Sequence, residues 1–114
     1  MKIAIASEGK EENSEISQKG GRAPYYLIFE NKKLIETIKN PFASGSGGAG
    51  FSVAYMLAEK KVNSVIAGKV GGNMISALKE KGIKFKESNG EINKVLKHII
   101  KWSHFKKINL FNFG

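Results

Sequence analysis

Cysteine and aspartate are both absent from this sequence. Without thiols the chain cannot form a disulfide, a thiolate nucleophile, a Cys-based zinc site or a Cys-ligated iron–sulfur cluster. All ten acids are glutamate, which also removes aspartyl dyads and EF-hand loops. Arginine is nearly absent: of 19 basic residues 18 are Lys, and Arg22 is the single exception. Readers of base edges and phosphate forks lean on the planar, bidentate guanidinium. A Lys-rich surface therefore points to solubility and loose attraction to polyanions, not to specific nucleic-acid recognition. Long apolar runs are missing as well. Nothing approaches the roughly 20 residues that span a bilayer, and the N-terminal MKIAIASEGK is too short and too soon acidic for a signal peptide. The expectation is a cytoplasmic protein with no membrane partner.

What is present is ordinary for one globular domain: 114 residues, 41% hydrophobic and 25% charged. The net charge of +9 is unevenly spread. Residues 1–18 set Lys2 and Lys10 against Glu8, Glu11, Glu12 and Glu15, whereas residues 92–114 carry five Lys and no acid.

The apolar pattern alternates between strand and helix signals. Ile3-Ala4-Ile5-Ala6 is too continuous for a strand with one wet face and suits a buried central strand. After a polar loop from Glu8 to Gly21, Tyr25–Glu30 and Leu34–Lys39 read as an antiparallel hairpin turning at Asn31-Lys32-Lys33. The second of these alternates Leu34, Glu36 and Ile38 against Ile35, Thr37 and Lys39, as an edge strand would, and Asn40-Pro41 ends it. From Phe51 the period changes to that of a helix, with Val53, Ala54, Leu57 and Ala58 inward and an end near Lys60-Lys61. A short strand at Ser64–Ala67 precedes a second helix from Asn73 to Lys81 with Met74, Ile75 and Leu78 inward, and Gly82 stands where a C-cap falls. Ile83–Lys86 is the last strand. A third helix runs from Ile92 to about Ser103 with Val95, Leu96, Ile99 and Ile100 inward. Strands alternating with helices after the hairpin imply an α/β class with one mixed sheet.

Three glycine-bearing connections stand out: Gly20-Gly21-Arg22, the segment Gly45 to Gly50, and Gly68 to Asn73. Glycine lets backbone amides approach a ligand, and a helix N-terminus adds partial positive charge for an anion. Together they suggest an anion-facing rim built from Lys19, Gly21, Arg22, Gly45, Gly47, Gly48, Gly50, Gly72 and Asn73. The middle segment lacks the Gly-Lys-Ser/Thr ending of a phosphate-binding P-loop and does not follow the first strand, as a dinucleotide fingerprint should. His98 and His104, six apart, would sit about 240° around a helix from each other and form no shared metal face. The tail Ile108–Phe113 is apolar and nearly alternating, and is expected to pack on its own domain or on a partner chain, a second copy included.

Ser17, Gly21 and Arg22-Ala23-Pro24-Tyr25-Tyr26 resemble the Gly-Arg-Ala-Pro-aromatic signature of the dinitrogenase iron–molybdenum cofactor biosynthesis family, the NifX-like proteins. Asn40-Pro41-Phe42, Gly47-Gly48-Ala49-Gly50 and Val65-Ile66-Ala67-Gly68 before a Gly-Asn pair follow in that family's order, so the resemblance covers roughly residues 1–100. It implies a ribonuclease H-like, three-layer α/β domain over 1–103 with a five-stranded mixed sheet; the basic and apolar tail at 104–114 lies outside the resemblance. It also implies a non-enzymatic role: binding or carrying an iron–(molybdenum–)sulfur cluster, its precursor or another anionic ligand, in company with a cofactor-assembly protein. Relatives place His and Phe before the Gly-Arg, where this chain has Lys19 and Gly20, and Gly-Pro-Asn where it has Gly71-Gly72-Asn73. A protonated Lys is no metal ligand, so the cluster would be held without Cys ligands, through charge. Two other readings compete. A nuclease of this fold needs several carboxylates around two metals, and Lys2–Ser7 carries none. A generic polyanion- or nucleic-acid-binding module fits the charge but lacks an aromatic or helix-turn-helix signature.

Overall fold

The computed structural model describes residues 1–45 and 47–98. The expected continuation of the third helix through Ile99 and Ile100 to Ser103, and the tail at 104–114, lie outside the described residues. Five strands form one sheet: β1 (Lys2–Ser7), β2 (Tyr25–Glu30), β3 (Lys33–Lys39), β4 (Ser64–Ala67) and β5 (Lys84–Glu87), in the order β3-β2-β1-β4-β5. β2 runs antiparallel to both neighbours, and β1, β4 and β5 are mutually parallel. This is the mixed sheet that the family resemblance implied, with the apolar N-terminal run at its centre and β3 at an edge.

The two faces of β1 are built from different side chains. Ala4 and Ala6 face a cluster with Val53, Ala54 and Leu57 of α1 (Ala49–Glu59) and Met74, Ala77 and Leu78 of α2 (Gly72–Glu80). Ile3 and Ile5 face the opposite cluster, where Leu27, Phe29 and Ile66 meet Ile92 and Leu96 of a third helix, α3, over 92–98. Helices therefore cover both faces. Small alanines on one side let α1 and α2 come down close to the sheet, and branched isoleucines fill the space under a single helix on the other. The sequence reading left Ile16 in a polar loop. It is buried on the α3 side because Ser7 and Ile16, and Glu15 and Glu91, form isolated antiparallel bridges that fold the loop back over the sheet.

The β2–β3 turn is tighter than expected. Asn31 (φ 50°) and Lys32 (φ 71°) make it alone, and Lys33 already pairs with Glu30. Two left-handed residues match the right-handed twist of the flanking strands. β3 shows the expected alternation in burial, with a bulge where Ile28 gives way to Phe29 across the ladder.

α1 and α2 end in the same way. Val62 N–H donates to Leu57 O (3.2 Å) and Lys61 N–H to Ala58 O (3.0 Å); Ile83 N–H donates to Leu78 O (2.8 Å) and Gly82 N–H to Lys79 O (3.1 Å). Both form a Schellman cap, closed by a buried Val62 or Ile83. The residue in the left-handed position is Gly82 (φ 71°) in one and Lys61 (φ 62°) in the other. A Cβ in that conformation costs about 1 kcal/mol. Lys61→Gly should therefore raise the unfolding free energy in urea by roughly that amount, and Gly82→Ala should lower it similarly. A neutral or destabilising Lys61→Gly would mean that the Lys61 side chain holds the cap by contacts worth more than the backbone strain.

Candidate functional site

Strand register brings Ser7, Tyr25, Lys39, Ala67 and Glu87 to one end of the sheet. The connections at 8–24, 40–48 and 68–71 all open there, and α1 and α2 both begin there. The three glycine-bearing segments therefore share one rim, at the carboxyl ends of the parallel strands, where open α/β sheets hold ligands.

The glycines divide into two groups. Some have no room for a side chain. A Cβ on Gly20 would lie 2.6 Å from Lys69 O, one on Gly21 2.8 Å from Gly50 N, and one on Gly50 3.0 Å from Met74 N; one on Gly68 would collide with Gln18. These four form a neck: Gly20, Gly21 and Gly50 lie against neighbouring backbone, and Gly68 lies under the Gln18 side chain. Hydrogen bonds reinforce it: Gly20 N–H donates to Lys69 O (3.1 Å), and Gly68 N–H to Ser17 O (2.7 Å). The others stand open. Gly45, Gly47, Gly48, Gly71 and Gly72 would meet nothing within 4 Å, and Gly45 (φ 124°) and Gly48 (φ 89°) use the left-handed freedom of glycine. Of the residues expected at the rim, Gly21 and Gly50 are thus neck residues, whereas Gly45, Gly47, Gly48 and Gly72 line the open edge.

The contact between Gly50 and Met74 places the first turns of α1 and α2 side by side. Neither helix has a side-chain cap, and neither has an acid in its first turn. Their partial positive charges consequently add at one place. Asn73, exposed, belongs to the first turn of α2. Lys19 is exposed beside the neck and donates its backbone N–H to Ser17 Oγ (3.2 Å). Lys69, which the sequence reading did not single out as a site cation, is exposed on the facing segment. The signal that could have found it is its place inside the third glycine connection.

Arg22 sits in a single 3-10 turn, Gly20–Arg22, and not on a strand. Its Nη1 donates to Gly45 O (2.9 Å), which joins this turn to the open loop. The turn is held from below. The buried Tyr26 hydroxyl donates to Gly20 O (2.5 Å), and the Asn40 amide donates to Gly21 O (3.0 Å) and Ala23 O (2.8 Å). Burial pushes the Tyr26 phenol far above the usual tyrosine range, so it remains a donor. Among the described residues no group of three or more His, Cys, Asp or Glu converges to hold a metal ion. His98 is exposed on α3, and His104 lies outside the described residues. Among the described residues the rim thus presents backbone amides and cations, the groups that suit an anion, and no ligand set for a bare metal.

The profile of the dinitrogenase iron-molybdenum cofactor family matches residues 1–101. The chain belongs to that family. No curated protein matches the chain. Among solved structures, the apo form of the orange protein from Desulfovibrio gigas shares the fold at a TM-score of 0.81 and 23% identity, covering 88% of this chain and 87% of that one. A Thermotoga protein provisionally named a NifB protein, solved by NMR, aligns at a TM-score of 0.74 and 29% identity, covering 88% and 87%. Membership associates the chain with the iron–molybdenum cofactor, in a family of accessory proteins. No helix among the described residues is long and apolar enough to cross a membrane.

The division of the glycines in this family member is testable. Gly20→Ala and Gly21→Ala force backbone apart and should each lower stability by about 1–3 kcal/mol, whereas Gly72→Ala should change it by less than about 0.5 kcal/mol. Chemical denaturation of the three variants measures this, and equal effects would dissolve the distinction between neck and rim. The Tyr26 shift has its own consequence. Above about pH 10 an unfolded tyrosine ionises while the folded Tyr26 stays neutral, so the unfolded state binds fewer protons and stability falls as pH rises. Tyr26→Phe should flatten that alkaline decline in a pH series of urea melts.

Proposed function

We propose that the chain is a non-enzymatic carrier: it holds an anionic iron–(molybdenum–)sulfur cluster, or a precursor of one, at the glycine rim and passes it to or from a cofactor-assembly protein in the cytoplasm. The observation that carries this reading is the pair of uncapped, acid-free helix N-termini brought together by Gly50 and Met74, flanked by Lys19, Arg22 and Lys69. Family membership supplies the cargo class. With no Cys in the chain, the cargo is bound through its charge and sulfide or oxygen surface and not by thiolate ligation. Such a hold is reversible, as a carrier needs. Among the described residues the rim supplies neither an acid–base pair nor a nucleophile for turnover. A generic polyanion-binding role draws no support from the comparisons.

The test is anaerobic incubation of the purified chain with extracted iron–molybdenum cofactor, followed by desalting and counting of molybdenum and iron per chain. Saturation at about one cofactor per chain is expected, where nonspecific polyanion binding would fade steeply with salt without saturating. Arg22→Lys keeps the charge but loses the planar fork and should weaken retention; Arg22→Ala should weaken it further, by roughly 1.5–3 kcal/mol. Fold stability, followed by thermal melting, should change by less than the affinity. Unchanged retention with a clear fall in melting temperature would make Arg22 structural and remove the proposed site.

A further inference from the structure

Asn40 is a polar residue only 4% exposed, and both ends of its side chain are used. Its Nδ2 donates to Gly21 O (3.0 Å) and Ala23 O (2.8 Å), the carbonyls on either side of Arg22. Its Oδ1 accepts from Phe42 N–H (2.9 Å), where the chain turns into the loop that leads to Gly45. Gly45 O in turn receives the Arg22 guanidinium at 2.9 Å. The contacts close a circuit: Asn40 holds the base of the Arg22 turn with one end and the base of the Gly45 loop with the other, and Arg22 bridges the two at the top. The backbone of Asn40 is itself fixed, since its N–H donates to Pro24 O (3.0 Å).

We propose that Asn40 is the positioning residue of the rim, setting the direction in which Arg22 presents its guanidinium to an anion. This rests on the reading of the rim as the cargo site. The requirement is specific to an amide. Two carbonyls face one nitrogen, and only an NH2 group can answer both while an oxygen on the same carbon accepts from Phe42. Aspartate, nearly identical in shape, would set a carboxylate oxygen against those carbonyls. The Tyr26 hydroxyl on Gly20 O is a third hold on the same turn. A cation fixed in advance loses less conformational freedom when an anion arrives, and positioning contributes affinity in that way without any contact to the cargo.

Because Arg22 is the only arginine, its guanidinium Nη–H groups give unique signals in the NMR spectrum of the 15N-labelled chain, and this allows a direct test. In Asn40→Asp, exchange with water of the Arg22 Nη–H that donates to Gly45 O should speed up about tenfold, the loss of roughly one hydrogen bond's worth of restraint. The backbone amides of β1 and β4 should keep their protection. Retention of extracted iron–molybdenum cofactor should fall by a similar factor, and Arg22→Lys should add nothing further in that background, as expected for two residues acting through one group. Tyr26→Phe, which leaves the core packing intact, should give a smaller change of the same kind. An Arg22 signal unchanged in Asn40→Asp overturns the proposal. So does a joint loss of Arg22 and β1 and β4 protection in Asn40→Asp and Tyr26→Phe alike, which would make Asn40 a residue of the fold alone. If the unsubstituted chain retains no cofactor, the cargo reading falls, and the exchange of Arg22 still decides whether Asn40 positions it.

Discussion

The structure turns on a place where side chains are excluded. At the neck, Gly21 lies against Gly50 with no space for a Cβ, and Gly50 lies tightly against Met74. This backbone-to-backbone stack carries the Gly20–Arg22 turn onto the first turn of α1 and the first turn of α1 onto that of α2. Any side chain there would push the two helix starts apart and, with them, the partial charges that an anion would feel. The neck glycines are packed against neighbouring atoms and do not stand open, as the glycines of glycine-rich loops are usually read. They set a distance, and the open glycines beside them supply the accessible backbone.

Much of the frame was legible because its signals are local. The unbroken Ile3-Ala4-Ile5-Ala6 run reads as a central strand and is one. The alternation in Leu34–Lys39 reads as an edge and is one. Gly82 reads as a C-cap and adopts the required positive φ. What stayed hidden depends on contacts distant in sequence. Ile16 sits among Glu and Ser residues, and only its bridge to Ser7 reveals it as core. Spacing does not say that Gly21 packs while Gly72 stands open, because the difference is made by α1 approaching one and not the other. Asn40 was legible as a strand terminator and as part of a family-like motif. Its two-ended grip on the rim depends on β3 lying beside β2, so that the end of one strand meets the turn that enters the other.

The chemistry of the rim follows from what the composition withholds. A chain without Cys or Asp cannot ligate a cluster as ferredoxin-type proteins do, and its two histidines stand away from the rim motifs in sequence. Oriented backbone and cations remain. Backbone amides at helix starts are fixed in place, whereas Lys side chains are long and mobile, so the helix starts give direction and the lysines give charge. Arg22 combines the two, and it is the cation whose turn is pinned by buried side chains.

The location of the proposed site is a consequence of sheet topology before it is a matter of any one residue. β4–α2–β5 is a parallel crossover, and β3 leads through α1 to β4 on the same face. Both helices must therefore start from the end where β3 and β4 stop, and both point their N-termini toward it. Ala4 and Ala6 keep that face shallow enough for the two helices to lie in contact with the sheet and with each other. Replacing them with larger residues would lift the helices and part their N-termini, although no residue of the rim had changed. On the opposite face Ile3 and Ile5 support a helix that starts at the same end but packs away from the neck. The asymmetry of β1, alanine on one side and isoleucine on the other, thus decides which face of the sheet can converge two helix N-termini on one anion.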